Sequence, residues 1–166
     1  MAALAASRSL GNMAALAASR QLGTVLVAGG AGWVGSALVL ALAERSAELG
    51  VRRVVAADCK AGFQRGLLAR AATSPGGSIV EDVVMDVTDA NSVEEAFAHW
   101  KPDTVFNLAA IIDHRPEADA ELMDRVNTEG VRLLVAFAEQ YGTQAFVHIS
   151  TLDVSWTGSA HSLQAP

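Results

Sequence analysis

Three glycines, Gly29, Gly32 and Gly35, follow one another as G-x-x-G-x-x-G between an apolar run, Thr24 to Ala28, and a segment of helical periodicity. At such a junction each glycine has its own use. One permits the tight turn, one lets the backbone approach a phosphate, and one lets the helix pack closely on the strand. The N-terminus of the helix then presents free N–H groups and the positive end of its dipole to a pyrophosphate. A loop for a nucleoside triphosphate would need Gly-Lys-Ser/Thr. This chain has Gly35-Ser36-Ala37, which argues against triphosphate hydrolysis.

An acid completes the pattern. Asp58 ends the next apolar run, about twenty residues past the turn, where a carboxylate can accept hydrogen bonds from both hydroxyls of a ribose. The same charge repels a 2′-phosphate, so NAD is expected over NADP. Lys60 and Arg65 lie close behind and would soften that selectivity. Cys59 reads as an incidental small residue beside the adenosine, because nothing around it argues for a lowered pKa. Asp113 and His114 fall in a polar loop and read as solubilising rather than catalytic. Glu94, Glu95 and Glu129 read as solvated helix faces, and no metal site is expected.

The elements that must hold these residues alternate. Strands are expected at Thr24–Ala28, Arg53–Ala57, Ser78–Met85 (two apolar pieces), Thr104–Leu108 and Gln144–Ile149. After the glycine turn, Val34, Ala37, Leu38, Ala41 and Leu42 recur at helical spacing and should face the sheet. A short helix should cover Asn91–Trp100, capped by Asp89 or Asn91 and halted by Pro102. A long one should run from Ala118 to Gln140, with Met123, Val126, Leu133, Leu134, Phe137 and Tyr141 near one face and Gly142 at its C-terminal cap. Strands joined by helices with right-handed crossovers give a parallel sheet covered on both faces. The expected fold is a Rossmann-type, doubly wound α/β sheet of order 3-2-1-4-5, incomplete on its C-terminal side, with the ligand crevice beside the first strand.

Composition sets the outer bounds. The chain has 166 residues, of which 51% are hydrophobic, enough for one domain with a real core. The net charge is −6 and the Lys and Arg residues are scattered, which excludes a basic nucleic-acid-binding stripe. No apolar run is long enough to span a membrane. A single cysteine fits a reducing compartment, so a cytoplasmic location is expected. Residues 1–22 form a low-complexity leader in which MAALAASR occurs twice, from Met1 and from Met13. Its Ala, Ser and Arg content also suits an organelle transit peptide. The patterned domain is expected over residues 23–166.

With these residues in place, a family resemblance is visible from about Thr24 to Val154. Val25-Leu-Val-Ala-Gly-Gly-Ala-Gly-Trp-Val-Gly35 resembles the opening of the extended short-chain dehydrogenase/reductase superfamily. Met85-Asp-Val-Thr-Asp89 resembles its Asp-x-x-Asp segment, and Asn107-Leu-Ala-Ala110 its His-x-Ala-Ala segment. Asn127 and Gly130 match the Asn-x-x-Gly of its central helix. The resemblance implies a cofactor site built from Gly29, Gly32, Trp33, Val34, Gly35, Asp58, Asp86, Val87, Ala109, Ala110 and Asn127, with Asp86 at the adenine. Trp33 fills a slot that is often aromatic and should pack near the turn rather than touch substrate.

Within the superfamily, Ala110-Ile-Ile-Asp-His114 looks most like the 3β-hydroxysteroid dehydrogenase/isomerase group. Phe146-Val-His-Ile-Ser-Thr-Leu-Asp-Val154 is similar to that group's strand too, yet His148-Ile-Ser-Thr151 also resembles nucleotide-sugar dehydratases. A sterol and a nucleotide sugar both stay open as substrates, with the sterol preferred. A non-catalytic NAD(H)-binding module is the reading from a different class. The resemblance places Thr151, or else Ser150, as the catalytic hydroxyl; the plainer alternative is that both hydroxyls cap the strand. The superfamily's proton donor, a tyrosine in Tyr-x-x-x-Lys, has no match. Tyr141 is the only tyrosine, position 145 is Ala145, and the only lysines are Lys60 and Lys101. The expectation is therefore a truncated product of a longer dehydrogenase, inactive alone, with an uncovered sheet edge after its fifth strand. The full-length protein could be a homodimer.

Overall fold

The computed structural model describes residues 21–60 and 79–150. Five strands, β1 (Gly23–Ala28), β2 (Val51–Asp58), β3 (Val80–Val84), β4 (Thr104–Asn107) and β5 (Ala145–His148), form one sheet of order β3-β2-β1-β4-β5. Every neighbouring pair is parallel. The helices are α1 (Trp33–Glu44), α2 (Ser46–Leu49), α3 (Ala90–Trp100), α4 (Ala120–Asp124) and α5 (Gly130–Gln140), with a π-helical turn at Arg125–Glu129 between the last two. This is the expected topology.

Alternation explains how the central strands serve two cores. Leu26, Ala28, Val55 and Ala57 point to one face, where they meet Val93, Phe97 and Leu134 of α3 and α5. Val25, Val27, Val54 and Ala56 point to the other, where Val39 and Leu42 of α1 cover them. Both faces are therefore dry, and β1 and β2 read as nearly unbroken apolar runs. Phe97, Phe137 and Tyr141 pack as an aromatic trio between α3 and α5, with ring centroids 6.3–6.5 Å apart.

Some boundaries and faces differ from the sequence reading. The third strand is a single piece, Val80–Val84, that includes Glu81 and Asp82. Those acids are tolerated because β3 ends the described sheet, and Glu81 reaches Arg53 at 3.1 Å. The buried face of α1 is Gly35, Ser36, Val39, Leu42 and Ala43; of the expected stripe Leu42 is buried and Leu38 packs against the core, whereas Val34, Ala37 and Ala41 are exposed. That helix is apolar almost all round, so hydropathy does not set its rotation; the close fit of Gly35 on the turn does. Asp89, not Asn91, caps α3, its carboxylate accepting from the Asn91 N–H at 3.0 Å.

The long helix begins at Ala120, capped by Asp119, and the π turn interrupts it. At its other end Gly142 takes φ +74°, Gly142 N–H donates to Glu139 O and Thr143 N–H to Ala138 O, a Schellman motif that stops the helix as expected. No helix among the described residues is long and apolar enough to cross a membrane.

Candidate functional site

The C-terminal ends of the strands hold the site, as a doubly wound sheet requires. The chain leaves β1 through Gly29 at φ +77°, a conformation open to glycine at little cost. A side chain there would also strike the backbone of Leu108 and Ala109, which passes within van der Waals distance. Gly29 and Gly30 both donate N–H bonds to Ala57 O, at 2.8 and 3.0 Å, tying the turn to β2. A Cβ on Gly35 would overlap Gly29 O, so a bare Gly35 is what lets the helix pack closely on the turn. Gly30 is just as constrained, between Val27 O and the Ala56 backbone, although it lies outside the G-x-x-G-x-x-G spacing.

Gly32 is different. It caps α1, and an added Cβ would meet only Gly29 O, at 3.2 Å. The first helical bond is donated by Ser36 N–H to Gly32 O at 2.9 Å, which leaves the N–H groups of Trp33, Val34 and Gly35 without intrahelical partners. The Ser36 hydroxyl turns back onto Gly32 O at 2.6 Å. The turn thus combines exposed donors, a dipole end and bare backbone, and it fits a diphosphate.

Two cavities flank this turn. The first, about 190 Å³, is lined by Gly29, Gly32, Asp58, Cys59, Met85, Asp86, Val87, Leu108, Ala109, Ala110, Ile111 and Val126. The second, about 350 Å³, is lined by Val34, Leu108, Ala109, Ala110, Ile112, Asn127, His148, Ile149 and Ser150. Leu108, Ala109 and Ala110 belong to both, so the two cavities adjoin just past the end of β4.

In the first cavity Asp58 stands half-buried at the end of β2. Its Oδ2 accepts from Ala31 N–H at 3.2 Å and its Oδ1 from Lys60 N–H at 3.3 Å, which aims the carboxylate at the glycine turn. Asp86 is exposed, with Oδ1 accepting from the N–H and hydroxyl of Thr88, both at 2.8 Å. Val87 is buried and touches the site of Gly130, whose added Cβ would come within 3.0 Å of it. That approach is why the Asn-x-x-Gly glycine is needed. Cys59 is exposed at the rim. Partial burial, then the neighbouring Asp58 carboxylate, pushes its thiol above the ordinary range, so it is not an activated nucleophile.

In the second cavity Asn127 works through the backbone. Its Oδ1 accepts from Ile111 N–H at 2.9 Å and its Nδ2 donates to Ile111 O at 2.8 Å. The amide pins the loop after β4 instead of offering itself freely to a ligand. Asp113 is bound by both ends of the Arg115 guanidinium, at 2.6–3.1 Å, which holds its carboxyl below the usual range. It lines neither cavity. Trp33 is 74% exposed and lines neither cavity, so the expectation that it packs near the turn is corrected: at the head of α1 its side chain points away from the buried face. Ser150 lies at the second cavity, whereas Thr151 and Arg65 lie outside the described residues.

Sequence reasoning missed Met85, Leu108, Ile111 and Val126 in the first cavity and His148, Ile112 and Ile149 in the second as site residues. For Met85, Leu108 and Ile149 a position just past a strand end was the available signal; Ile111, Ile112 and Val126 come from the loop after β4 and from the π turn, and His148 carried no local signal.

A family model described as the NAD dependent epimerase/dehydratase family matches residues 25–165. The chain belongs to that family. NAD, expected from Asp58, is the cofactor named for it. Among solved structures, the epimerase/dehydratase chain is similar to the enzyme WbmG of Bordetella bronchiseptica, solved with NAD and UDP. The two are 26% identical with a TM-score of 0.61, over 77% of this chain and 37% of that one. It is also similar to UDP-glucose 4-epimerase of Thermus thermophilus, solved with NAD: 28% identity and a TM-score of 0.57, over 74% of this chain and 36% of that one. A short-chain type dehydrogenase/reductase from Mycobacterium ulcerans shares the fold, with a TM-score of 0.68 at 19% identity over 82% of this chain and 54% of that one. The chain spans little more than a third of the length of the first two. No curated protein matches at a significant level.

Proposed function

We propose that this family member is the NAD-binding part of an oxidoreductase that acts on a nucleotide sugar, as an epimerase or dehydratase. The pair of adjoining cavities carries the reading. It has a diphosphate cradle at Gly29 and Gly32, an acid-edged cavity with Asp58 and Asp86 on one side, and an apolar cavity on the other. Adenosine suits the first, with its ribose hydroxyls donating to Asp58, and the nicotinamide half suits the second, against Val34, Ala110 and Ile112. Bound there, NAD supplies a hydride acceptor for a carbon bearing a hydroxyl. The Ser150 hydroxyl, or that of Thr151, would hydrogen-bond the reacting oxygen.

The nucleotide-sugar class is supported by similarity above 25% identity to two enzymes whose solved structures hold NAD, one of them with UDP as well. The steroid reading keeps one observation in its favour: Val34, Ile112 and Ile149 give the second cavity a hydrophobic wall, and all three are exposed. Tyr141, packed in the aromatic trio, lines neither cavity and takes no part in this reading.

The test is titration of the 166-residue protein with NADH, read as energy transfer from tryptophan, with Trp33→Phe to identify the donor. Saturable binding supports the reading. The same titration with UDP, UDP-glucose and a 3β-hydroxysterol on preloaded protein ranks the substrates. No response to millimolar NAD or NADH, with Gly32→Val indistinguishable from the unaltered chain, would sink dinucleotide binding.

A further inference from the structure

Asn107 and His148 are register partners on β4 and β5, and their side chains meet at 3.2 Å between Asn107 Nδ2 and His148 Nδ1. Asn107 is essentially fully buried. Its other amide atom accepts from Ala109 N–H at 3.0 Å. A backbone N–H can only donate, so that atom is the oxygen, and the atom facing His148 is the NH₂ group. An NH₂ group can only donate as well. His148 Nδ1 must therefore accept, and in the neutral ring the proton resides on Nε2.

His148 is exposed and lines the second cavity with Val34, Asn127 and Ser150. The ring nitrogen left for a ligand is thus a donor, with its tautomer set from within the fold. We propose that His148 is a ligand-binding residue that gives an Nε2–H hydrogen bond to an acceptor oxygen, a hydroxyl or carboxamide, on the nicotinamide half of the dinucleotide, and that Asn107 is its positioning residue. The inference rests on the dinucleotide reading above and assigns a contact within it.

Three substitutions separate the roles. His148→Asn can still accept from Asn107 but has nothing at the Nε2 position, His148→Gln places an amide donor near Nε2, and His148→Phe removes both. The expected result is NADH binding about fivefold weaker in the Asn and Phe variants and recovered in the Gln variant, the size of one net hydrogen bond. ADP, which has no nicotinamide half, should bind all four proteins alike. Nitrogen NMR of the unaltered protein should show His148 protonated on Nε2, and Asn107→Leu should mix the tautomers. Equal NADH affinity in the His148→Asn variant and the unaltered chain, or a proton found on Nδ1, would overturn the proposal. Failure of both ADP and NADH to bind the unaltered chain would instead overturn the dinucleotide reading on which it stands.

Discussion

The carboxylate of Asp103 fills the space that a side chain on Gly23 would need. Gly23 enters β1 at φ +65°, and an added Cβ would overlap Asp103 Oδ2. That oxygen accepts from Thr24 N–H at 2.7 Å and from the Arg52 guanidinium at 2.8 Å. The Asp103 backbone joins in, donating to Thr24 O and accepting from Gln144 and Ala145 N–H. One residue thus ties β1, β2 and β5 together at the end of the sheet opposite the two cavities.

Gly23→Ala should cost more than the roughly 1–2 kcal/mol of a left-handed alanine, because the overlap adds to the strain. Asp103→Ala alone should cost about 1–3 kcal/mol by leaving Thr24 N–H without its acceptor. The double variant should cost less than the sum, since removing the carboxylate makes room for the new methyl. Urea unfolding of the four proteins checks the sign of the coupling, and additive costs would contradict it.

The glycines of the turn should separate binding from stability. Gly35→Ala forces a methyl onto Gly29 O and should destabilise the fold by at least about 2 kcal/mol, as strained core insertions do. Gly32→Ala meets only one oxygen at 3.2 Å and should stay within about 1 kcal/mol of the unaltered chain while weakening NADH binding. Thermal unfolding beside NADH titration reads both. Equal stability of the two variants would refute the division of roles.

Asp58 should set the choice of dinucleotide. Asp58→Ala removes the ribose acceptor and the charge that repels a 2′-phosphate, so the ratio of NADP to NAD affinity should rise about tenfold or more, given the strength of charge-assisted bonds. Calorimetric titration with both cofactors measures it. An unchanged ratio would place the ribose elsewhere.

Cys59 should alkylate slowly at neutral pH. Its pKa is raised, by burial first and by Asp58 next, so the thiolate is scarce at pH 7 and its fraction grows as pH rises through the shifted pKa. Iodoacetamide labelling followed by mass spectrometry should show a rate that climbs later in pH than for a free thiol, and Asp58→Asn should bring the climb to lower pH. NAD should also slow labelling, because Cys59 lines the first cavity.

Sheet order and the glycine turn were legible because both rest on short-range patterns: buried parallel strands read as apolar runs, and a turn into a helix needs glycine. The rotation of α1 was not legible, because its residues are apolar on nearly every side and only the contact of Gly35 with Gly29 decides the phase. Glu81 and Asp82 broke the signal of β3 for a reason seen only in the sheet, where the strand's charges face Arg53 and solvent. Asp58 could be read as a site residue since the acid ends a strand at a known distance from the turn. His148 could not, because its significance depends on Asn107 and that partner is 41 positions away.

The π turn at Arg125–Glu129, closed by Gly130 N–H on Arg125 O, holds one residue more than a regular turn of the same height. It works like a vernier between two scales. Upstream, the helix is indexed to the loop that Asn127 clamps; downstream, it is indexed to Val87 through Gly130 and to the aromatic trio through Phe137. The extra residue sets the phase of one half relative to the other. A deletion of one residue in this turn would be absorbed as ordinary helix and would put the two halves back on one scale.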